Sequence, residues 1–378
     1  MKKIFWLGIT GLFLFEVANV YFIMPMPGSQ RMNSLDLAYF LYSWRWFFRI
    51  LFSLMIVVGF FMSRVKRKWL LVIPMAIVCA VVYMANFVMA ADHMFYQPGK
   101  LLMVSAADNK IDSGRLVIGV TLNGESKAYP IRFLGYHHQV QDTIGGQPVM
   151  ITYCTVCRTG RVFQPVVNGK PEKFRLVGMD HFNAMFEDVT TKSWWRQVTG
   201  EAVAGKLKGE QLPELYSTQT SLAEWLRLNP NSLIMQTDSA FINSYDTNGN
   251  YEAGRSKNKL TGTDSLSWKD KSWVVGVKTG KERKAYDWNQ LKNERVINDK
   301  IANTPVLIVL SDDNKSFFAF ERPDAYSSFR LENDIIACGN HHFRIDGKGI
   351  DTSFSLKPLQ ASQEFWHSWR TFNPNTTK

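Results

Sequence analysis

The strongest constraint on this chain is a pair of long apolar stretches within its first ninety residues. Residues 4–24 are apolar apart from Glu16, and Leu70 to Ala90 carries no charge. Each stretch has about the 20 residues that an α-helix needs to span a bilayer. A cleaved signal peptide is the alternative for the first stretch, but no small-x-small cleavage site follows it. Both stretches are therefore predicted to be transmembrane helices.

A third stretch, residues 42–62, is also apolar but less uniformly so. It contains Arg45 and Arg49 near one end, where long basic side chains can snorkel to the membrane surface. We therefore predict three transmembrane helices within residues 1–90.

The basic residues near these stretches predict their orientation. Lys2 and Lys3 precede the first stretch, and a basic cluster at 64–68 lies between the stretch 42–62 and the stretch Leu70 to Ala90. Because such clusters stay in the cytoplasm, residues after about 91 are expected outside it, which places the chain in a bacterial inner (cytoplasmic) membrane. Part of the net charge of +11 thus serves to orient the helices in the membrane. The lipid bilayer is the expected partner, and a nucleic-acid partner is excluded.

The outer region contains a strand, a C-x-x-C motif, a glycine and a second strand in that order. Val149 to Tyr153 is apolar and β-branched, as in a buried strand, and Cys154 and Cys157 follow it. The residues after Cys157 include Gly160 and alternate in polarity, so they do not begin the helix that a thioredoxin-type nucleophile requires. This order predicts a β-knuckle, a turn that presents two sulfurs to one metal ion.

The same region resembles itself at an offset of 157 residues. Thirteen of the 35 positions in 117–151 are identical in 274–308. We therefore predict an α+β, β-rich, duplicated domain in which neither copy buries its apolar faces alone. The predicted organisation is membrane helices at 1–90, a first repeat at 91–238, a linker or loop at 239–265 and a second repeat at 266–378.

Local signals give the elements within the first repeat. Asn123-Gly124 between alternating residues is typical of a two-residue hairpin. Residues 131–140 are expected to form one or two helical turns. Ser221 is the predicted N-cap of a helix that ends at Leu228, before Pro230.

The two repeats differ where chemistry is expected. Cys154 and Cys157 align with Ser311 and Asn314, while the pair His137 and His138 aligns with glutamate and arginine. The first repeat is therefore expected to carry the site, and the second to be scaffold.

At these residues the chain resembles a bacterial family known as domain of unknown function thirty-one seventy-nine. The resemblance covers Val117 to about Asp238 and continues through the second repeat. Its family-like pieces are Ala128–Arg132, His137, Asp142–Gly146, Thr152–Cys157, Gly160–Phe163 and Trp195–Gly205. The family implies a C-x-x-C plus His site without a settled reaction. It usually has Pro and Gly where this chain has Thr155 and Arg158.

The resemblance makes Cys154, Cys157 and His137 the candidate site, with His138 as a further ligand. Thiolates and imidazole suit zinc or copper, so a copper or zinc site with one open position is expected. The alternative is a disulfide or inert cysteine pair beside a hydrogen-bonded core histidine.

Other residues are weaker candidates. Arg132 and Asn183 match the family and are expected to line a pocket. The repeated Asp142 is expected to be structural. Trp194, Trp195 and Gln197 are further pocket candidates, with a place in the core as the alternative for the two aromatic residues. Cys338, His341 and His342 have ligand-like spacing, but their segment has no matching partner in the first repeat.

Two functions follow from these residues. The first is a membrane-tethered metalloprotein or thiol-redox protein, and thus a candidate oxidoreductase, that uses Cys154 and Cys157 as catalytic residues. The second is a non-catalytic module that binds an envelope protein or ligand and uses the cysteines as a structural staple.

Overall fold

A computed structural model describes residues 2–255 and 262–378, which form two compact units. The first unit comprises residues 2–96, 174–196 and 201–210, and the second comprises 97–173, 197–200 and the described part of 211–378. The fold is α+β, and its C-terminal part is rich in β-strands.

The α-helices of the described residues are short except near the N-terminus. In chain order they are α1 (Lys2–Tyr21), α2 (Leu35–Ser43), α3 (Arg45–Phe61), α4 (Val72–Tyr83), α5 (Ala91–Met94), α6 (Ile131–His137), α7 (Leu222–Leu228), α8 (Trp288–Glu294) and α9 (Trp366–Phe372).

The strands are distributed over several small sheets. In chain order they are β1 (Met103–Val104), β2 (Leu116–Leu122), β3 (Glu125–Pro130), β4 (Gln139–Ile144), β5 (Gln147–Cys154), β6 (Thr159–Phe163), β7 (Val166–Val167), β8 (Lys170–Pro171), β9 (Phe174–Asp180), β10 (Asn183–Asp188), β11 (Trp194–Arg196), β12 (Ala202–Ala204), β13 (Thr218–Ser221), β14 (Leu233–Met235), β15 (Trp273–Thr279), β16 (Glu282–Asp287), β17 (Val296–Ile301), β18 (Thr304–Leu310), β19 (Phe317–Glu321), β20 (Arg330–Glu332), β21 (Ile335–Cys338), β22 (His341–Arg344), β23 (Lys357–Pro358) and β24 (Ala361–Phe365).

The first unit contains two helical stretches that are long and apolar enough to cross a membrane, Lys2–Tyr21 and Lys68–Val88. The predicted third span is a bent pair, because α2 and α3 meet these length and composition criteria only together and are bent by 60°. Glycines let α1 and α3 approach closely. A Cβ added at Gly59 would lie 2.5 Å from the backbone nitrogen of Phe5.

Two charged residues of these helices, Arg49 and Glu16, form an ion pair. Arg49 donates to the buried Glu16 carboxylate at 2.6 Å and to the side-chain oxygen of Asn86 at 2.6 Å. The expectation that Arg49 snorkels outward is therefore wrong. An ion pair inside the helix bundle satisfies a charge that would be costly in an apolar environment.

The sheet of the first unit has the order β12-β11-β10-β9. It is attached to the residues after α1, because Met179 donates its backbone N–H to the carbonyl oxygen of Ile23 at 2.7 Å. Gly178 makes this approach possible, since an added Cβ would lie 2.3 Å from the same oxygen.

The second unit is built from small sheets with an almost entirely antiparallel register. Its largest sheet has the order β1-β14-β3-β2-β13, in which only the β14–β3 pair is parallel. The other principal sheets have the orders β4-β5-β6, β16-β15-β24, β17-β18-β19-β23 and β20-β21-β22.

Residues 116–163 and 273–321 each contain a hairpin, a seven-residue helix and three antiparallel strands in the same order. In the first, the Tyr129 hydroxyl donates to Asp142 at 2.6 Å, and in the second Tyr286 donates to Asp299 at 2.9 Å. The hydroxyl–carboxylate bond joins the hairpin to the next strand in both, which agrees with a structural role for Asp142.

Candidate dithiol site

The candidate site is the turn between two strands of one antiparallel sheet. Strands β5 and β6 pair so that Cys154 lies opposite Thr159, and residues 155–158 form the turn. Behind the turn, the Gln197 amide donates to the Thr152 hydroxyl at 2.9 Å and to the Thr159 carbonyl at 3.1 Å. Buried hydrogen bonds to residues on both sides of the turn therefore stabilise it.

Arg158 closes this turn with a φ of 54°, in the left-handed region that favours glycine. Its guanidinium is buried, lies 3.6 Å from the ring centre of Trp273 and donates to the Glu252 carbonyl at 2.8 Å. Burial lowers the pKa of Arg158. Packing and hydrogen bonds therefore hold a long side chain where glycine is expected.

Cys154 and Cys157 are thiols with no exposed surface. They hydrogen-bond each other, and burial, followed by this contact, raises the pKa of Cys157 well above its ordinary value. Both sulfurs are thus close together in a dry environment that favours the neutral thiol.

Two basic side chains meet the same turn. The ammonium of Lys271 donates to the carbonyl of Val156, between the cysteines, at 3.2 Å and lies 3.3 Å from Nε2 of His367. Burial lowers the pKa of Lys271, while the two cysteines act in the opposite direction. Burial and then Lys271 lower the pKa of His367 to about 4, so this imidazole is neutral at pH 7.

A buried chain of hydrogen bonds starts at Cys157. Its thiol hydrogen-bonds Ser368, whose hydroxyl donates to Oε2 of Glu364 at 2.6 Å. Oε1 of Glu364 accepts from Arg161 at 2.6 Å, and all four side chains are buried. This arrangement connects the Cys157 thiol to a buried carboxylate through one hydroxyl group.

The backbone of the C-terminal segment (361–372) covers the turn. The N–H of Phe365 donates to the carbonyl of Cys157 at 3.0 Å. The segment thus supplies both backbone and side-chain partners to the site.

The predicted histidine ligands have other partners. Nε2 of His137 lies 2.8 Å from the hydroxyl of Tyr245, and Nδ1 of His138 lies 3.0 Å from the carbonyl oxygen of Tyr153. Burial lowers the pKa of His138 to about 4. Across residues 2–255 and 262–378, no group of three or more His, Cys, Asp or Glu side chains is arranged to hold a metal ion. The predicted set of Cys154, Cys157, His137 and His138 is therefore not assembled in the described structure.

The pocket candidates fall in different units. Arg132 is a half-buried residue of α6 in the second unit, whereas the buried Asn183 belongs to β10 in the first. Burial and then Arg115 lower the pKa of Arg132. The indoles of Trp194 and Trp195 donate to carboxylates within the first unit.

The later cysteine–histidine run forms a separate hairpin. Cys338 pairs with His341 across β21 and β22, and Nδ1 of His342 lies 2.6 Å from Asp351. The hairpin therefore places the exposed His341 and His342 on the edge strand of a small sheet and the partly buried Cys338 at the end of its central strand.

Sequence reasoning missed the residues contributed by the C-terminal part of the chain, namely Lys271, Glu364, His367 and Ser368. A signal was available at the repeated tryptophan. His367 and Ser368 precede Trp369 where Ala223 and Glu224 precede Trp225. Divergence between these two similar segments could therefore have indicated His367 and Ser368 as site residues.

A family model described as "Protein of unknown function (DUF3179)" matches residues 97–376. No curated protein and no solved structure matches the chain. The match covers most of the chain and confirms the family resemblance, so this protein belongs to the DUF3179 family of proteins of unknown function.

Proposed function

We propose that this protein is a membrane-tethered thiol oxidoreductase in which Cys154 and Cys157 interconvert between a dithiol and a disulfide. The observation that carries the proposal is the contact between two buried thiols beside a hydrogen-bonded carboxylate. Oxidation of two neutral thiols to a disulfide leaves no net charge in the site. This chemistry therefore suits a dry environment in which isolated charges are costly.

The exchange is balanced with a disulfide-bearing substrate as the oxidant. Cys157 passes its proton to Ser368 as the hydroxyl proton of Ser368 moves to Glu364. Once the C-terminal segment (361–372) moves away from the turn and admits the substrate, the Cys157 thiolate attacks one substrate sulfur, the substrate S–S bond breaks and the first thiolate leaves. That thiolate takes the proton of Cys154, which attacks Cys157 and releases the second substrate thiolate, to which Glu364 returns its proton. Two electrons pass to the substrate.

A second candidate is copper(I) binding by the same sulfurs. Soft thiolates select this ion, and two thiolates with one Cu(I) leave one negative charge. The ammonium of Lys271, which contacts the turn between the cysteines, can balance that charge. A zinc site needs further ligands to complete a tetrahedron, so copper is the metal that we propose.

The test uses the full chain in detergent with Cys79 and Cys338 replaced by serine. The protein is equilibrated in glutathione buffers of stepped potential, alkylated under denaturing conditions and weighed by mass spectrometry. We expect a reversible two-electron transition that is lost in both Cys154→Ser and Cys157→Ser. Copper and zinc content is measured on the same samples.

The outcome also decides between catalysis and a structural role. A cysteine pair that stays reduced at every potential and binds no metal would contradict both chemistries. The remaining function would be a non-catalytic module that binds an envelope partner, with the cysteines as a structural staple.

The membrane anchor is proposed to have three spans, with α2 and α3 together forming the bent second one. The basic residues at 2–3 and 64–68 support an outer location for the second unit, in the periplasm of a bacterium. A reporter that is active only outside the cytoplasm is expected to be active after Lys378 and silent after Arg67. The reverse pattern would refute the orientation.

We further propose that the second unit arose by duplication. The repeated element order supports this, as do two matched contacts. A Cβ added at Gly119 would lie 2.2 Å from the Trp225 ring, and one at Gly276 would lie 2.0 Å from the Trp369 ring. Removing residues 266–378 is expected to leave the first repeat insoluble. A soluble, cooperatively folding fragment 91–238 would show two independent domains.

A further inference from the structure

The first unit contains a cavity of about 230 Å³ at the end of the membrane helices. It lies between the end of α1, the bend between α2 and α3, and the end of the Lys68–Val88 stretch. The lining residues that bear on its chemistry are Asn19, Tyr42, Arg45, Asp92, His93 and Arg175.

The position of the cavity along the two apolar stretches predicts its depth in a bilayer. Lys2, Lys3 and the cluster at 64–68 mark the opposite ends of the two apolar stretches. Each stretch has 20 or 21 residues, which is a length of about 30 Å at 1.5 Å per residue and matches the hydrocarbon core. The cavity is therefore expected at the headgroup level of the outer leaflet.

One basic residue of the cavity is already neutralised. Arg175 donates to Asp92 at 3.0 Å and to Glu187 at 2.8 Å. Arg45 has no acidic partner among the described residues. It donates to the carbonyl of Tyr42 at 2.6 Å and lies over the same residue's ring, so further guanidinium N–H groups remain for an anion.

The cavity also offers an acceptor. The side-chain oxygen of Asn19 is buried and has no hydrogen-bond partner among the described residues. A buried acceptor without a donor is costly, so a ligand that brings an N–H group to Asn19 is favoured.

We propose that this cavity binds the headgroup of phosphatidylethanolamine. Arg45 binds the phosphate, and the primary ammonium donates to Asn19. The phosphatidylcholine headgroup has no N–H or O–H to donate to Asn19. The glycerol hydroxyls of phosphatidylglycerol can donate, but their neutral hydrogen bond is weaker than the charge-assisted bond from an ammonium. The inference rests on the proposed membrane insertion and is independent of the dithiol chemistry.

The test is native mass spectrometry of the full chain in detergent with dioleoyl forms of the three lipids. We expect about tenfold stronger retention of phosphatidylethanolamine than of phosphatidylcholine, the effect of one charge-assisted hydrogen bond, with phosphatidylglycerol between the two. Arg45→Gln should weaken retention of all three lipids, whereas Asn19→Ala should remove the preference for phosphatidylethanolamine over both other lipids. Arg64→Gln, which alters an arginine at the opposite membrane end, is the matched control.

Three results would overturn the proposal. They are equal retention of the three lipids by the unaltered chain, identical behaviour of Arg45→Gln and Arg64→Gln, and displacement of the lipid by soluble phosphoethanolamine at equal concentration. The last would identify a free ligand. Carbonate extraction of membranes tests insertion separately, and release of the chain would refute insertion. If the chain stays in the membrane but shows no lipid preference in mass spectrometry, only this inference is refuted.

Discussion

Replacing His138 by Asn is expected to make the fold less sensitive to acid. His138 is 2% exposed, and burial lowers its pKa from 6.5 to about 4. Below pH 6.5 the unfolded chain therefore binds a proton that the folded chain does not, and stability falls as the pH is lowered towards 4. Asn suits the position because the backbone φ is 59°, a left-handed conformation that Asn adopts more readily than most residues.

The size of the effect follows from the shift in pKa. A difference of about 2.5 between the two pKa values corresponds to roughly 3 kcal/mol once the pH is below 4. The same relation gives about 2 kcal/mol at pH 5 and almost nothing at pH 7. Acidification from pH 7 to pH 5 should therefore cost about 2 kcal/mol through His138 alone. His367, whose pKa is also lowered to about 4, acts in the same range and remains in the variant.

The assay is thermal unfolding of the full chain in detergent at pH 7 and pH 5, followed by near-ultraviolet circular dichroism. The fall in melting temperature between the two values should be roughly 4–7 °C smaller for His138→Asn than for the unaltered chain. His341→Asn removes an exposed imidazole and is the control. Its melting temperature is expected to fall between pH 7 and pH 5 by as much as that of the unaltered chain. Equal falls in His138→Asn and the unaltered chain would refute the assignment of this acid sensitivity to His138.

Three further outcomes are expected. Gly119→Ala should lower stability by about 1–3 kcal/mol, because the added methyl overlaps the Trp225 ring; an unchanged denaturation midpoint would contradict this contact. Arg161→Met should destabilise the fold by about 3–5 kcal/mol, because it leaves the Glu364 carboxylate buried without its cation; denaturant titration at pH 7 measures the loss. The pKa of Cys157 is higher in the folded chain than in the unfolded chain. Above about pH 8.5 the unfolded chain therefore loses a proton that the folded chain keeps, and stability falls as the pH rises. Cys157→Ser should flatten that alkaline fall, and an unaltered fall would show that other groups cause it.

Local elements were predictable because their signals are local. Asn123 and Gly124 have φ values of 49° and 83°, as a two-residue hairpin turn requires. Ser221 caps α7 and accepts from the Glu224 N–H at 3.1 Å. The strand–turn–strand form of the C-x-x-C segment follows equally from its own residues, because β-branched residues, glycine and alternation act within a few positions.

Partners that are distant in sequence were not predictable in the same way. His137 was expected beside the cysteines, but Tyr245, from the predicted linker, occupies its Nε2. Ser368 contacts Cys157 across 211 positions, and no periodic pattern encodes such a contact. The packing of the C-terminal segment decides which residues surround the thiols. That packing depends on the fold of the whole second unit and not on any local sequence pattern.

Lys271→Met separates the two chemistries proposed for the cysteine pair. Forming a disulfide from two thiols leaves the site neutral, whereas one Cu(I) on two thiolates leaves a negative charge that the ammonium of Lys271 can balance. In a buried site that charge is costly without its cation, so the variant should bind Cu(I) at least about tenfold more weakly, which corresponds to about 1.4 kcal/mol. The dithiol–disulfide potential at pH 7 should change little, because neither end state carries a charge for Lys271 to stabilise. Lys269→Met, two residues away, is the control. Copper affinity is measured by competition with a coloured chelator, and the dithiol–disulfide potential is measured by the glutathione titration. Unchanged copper affinity in Lys271→Met would remove the argument for copper, whereas a large shift in potential would show that a thiolate, and not the neutral thiol pair, is the reduced form of the site.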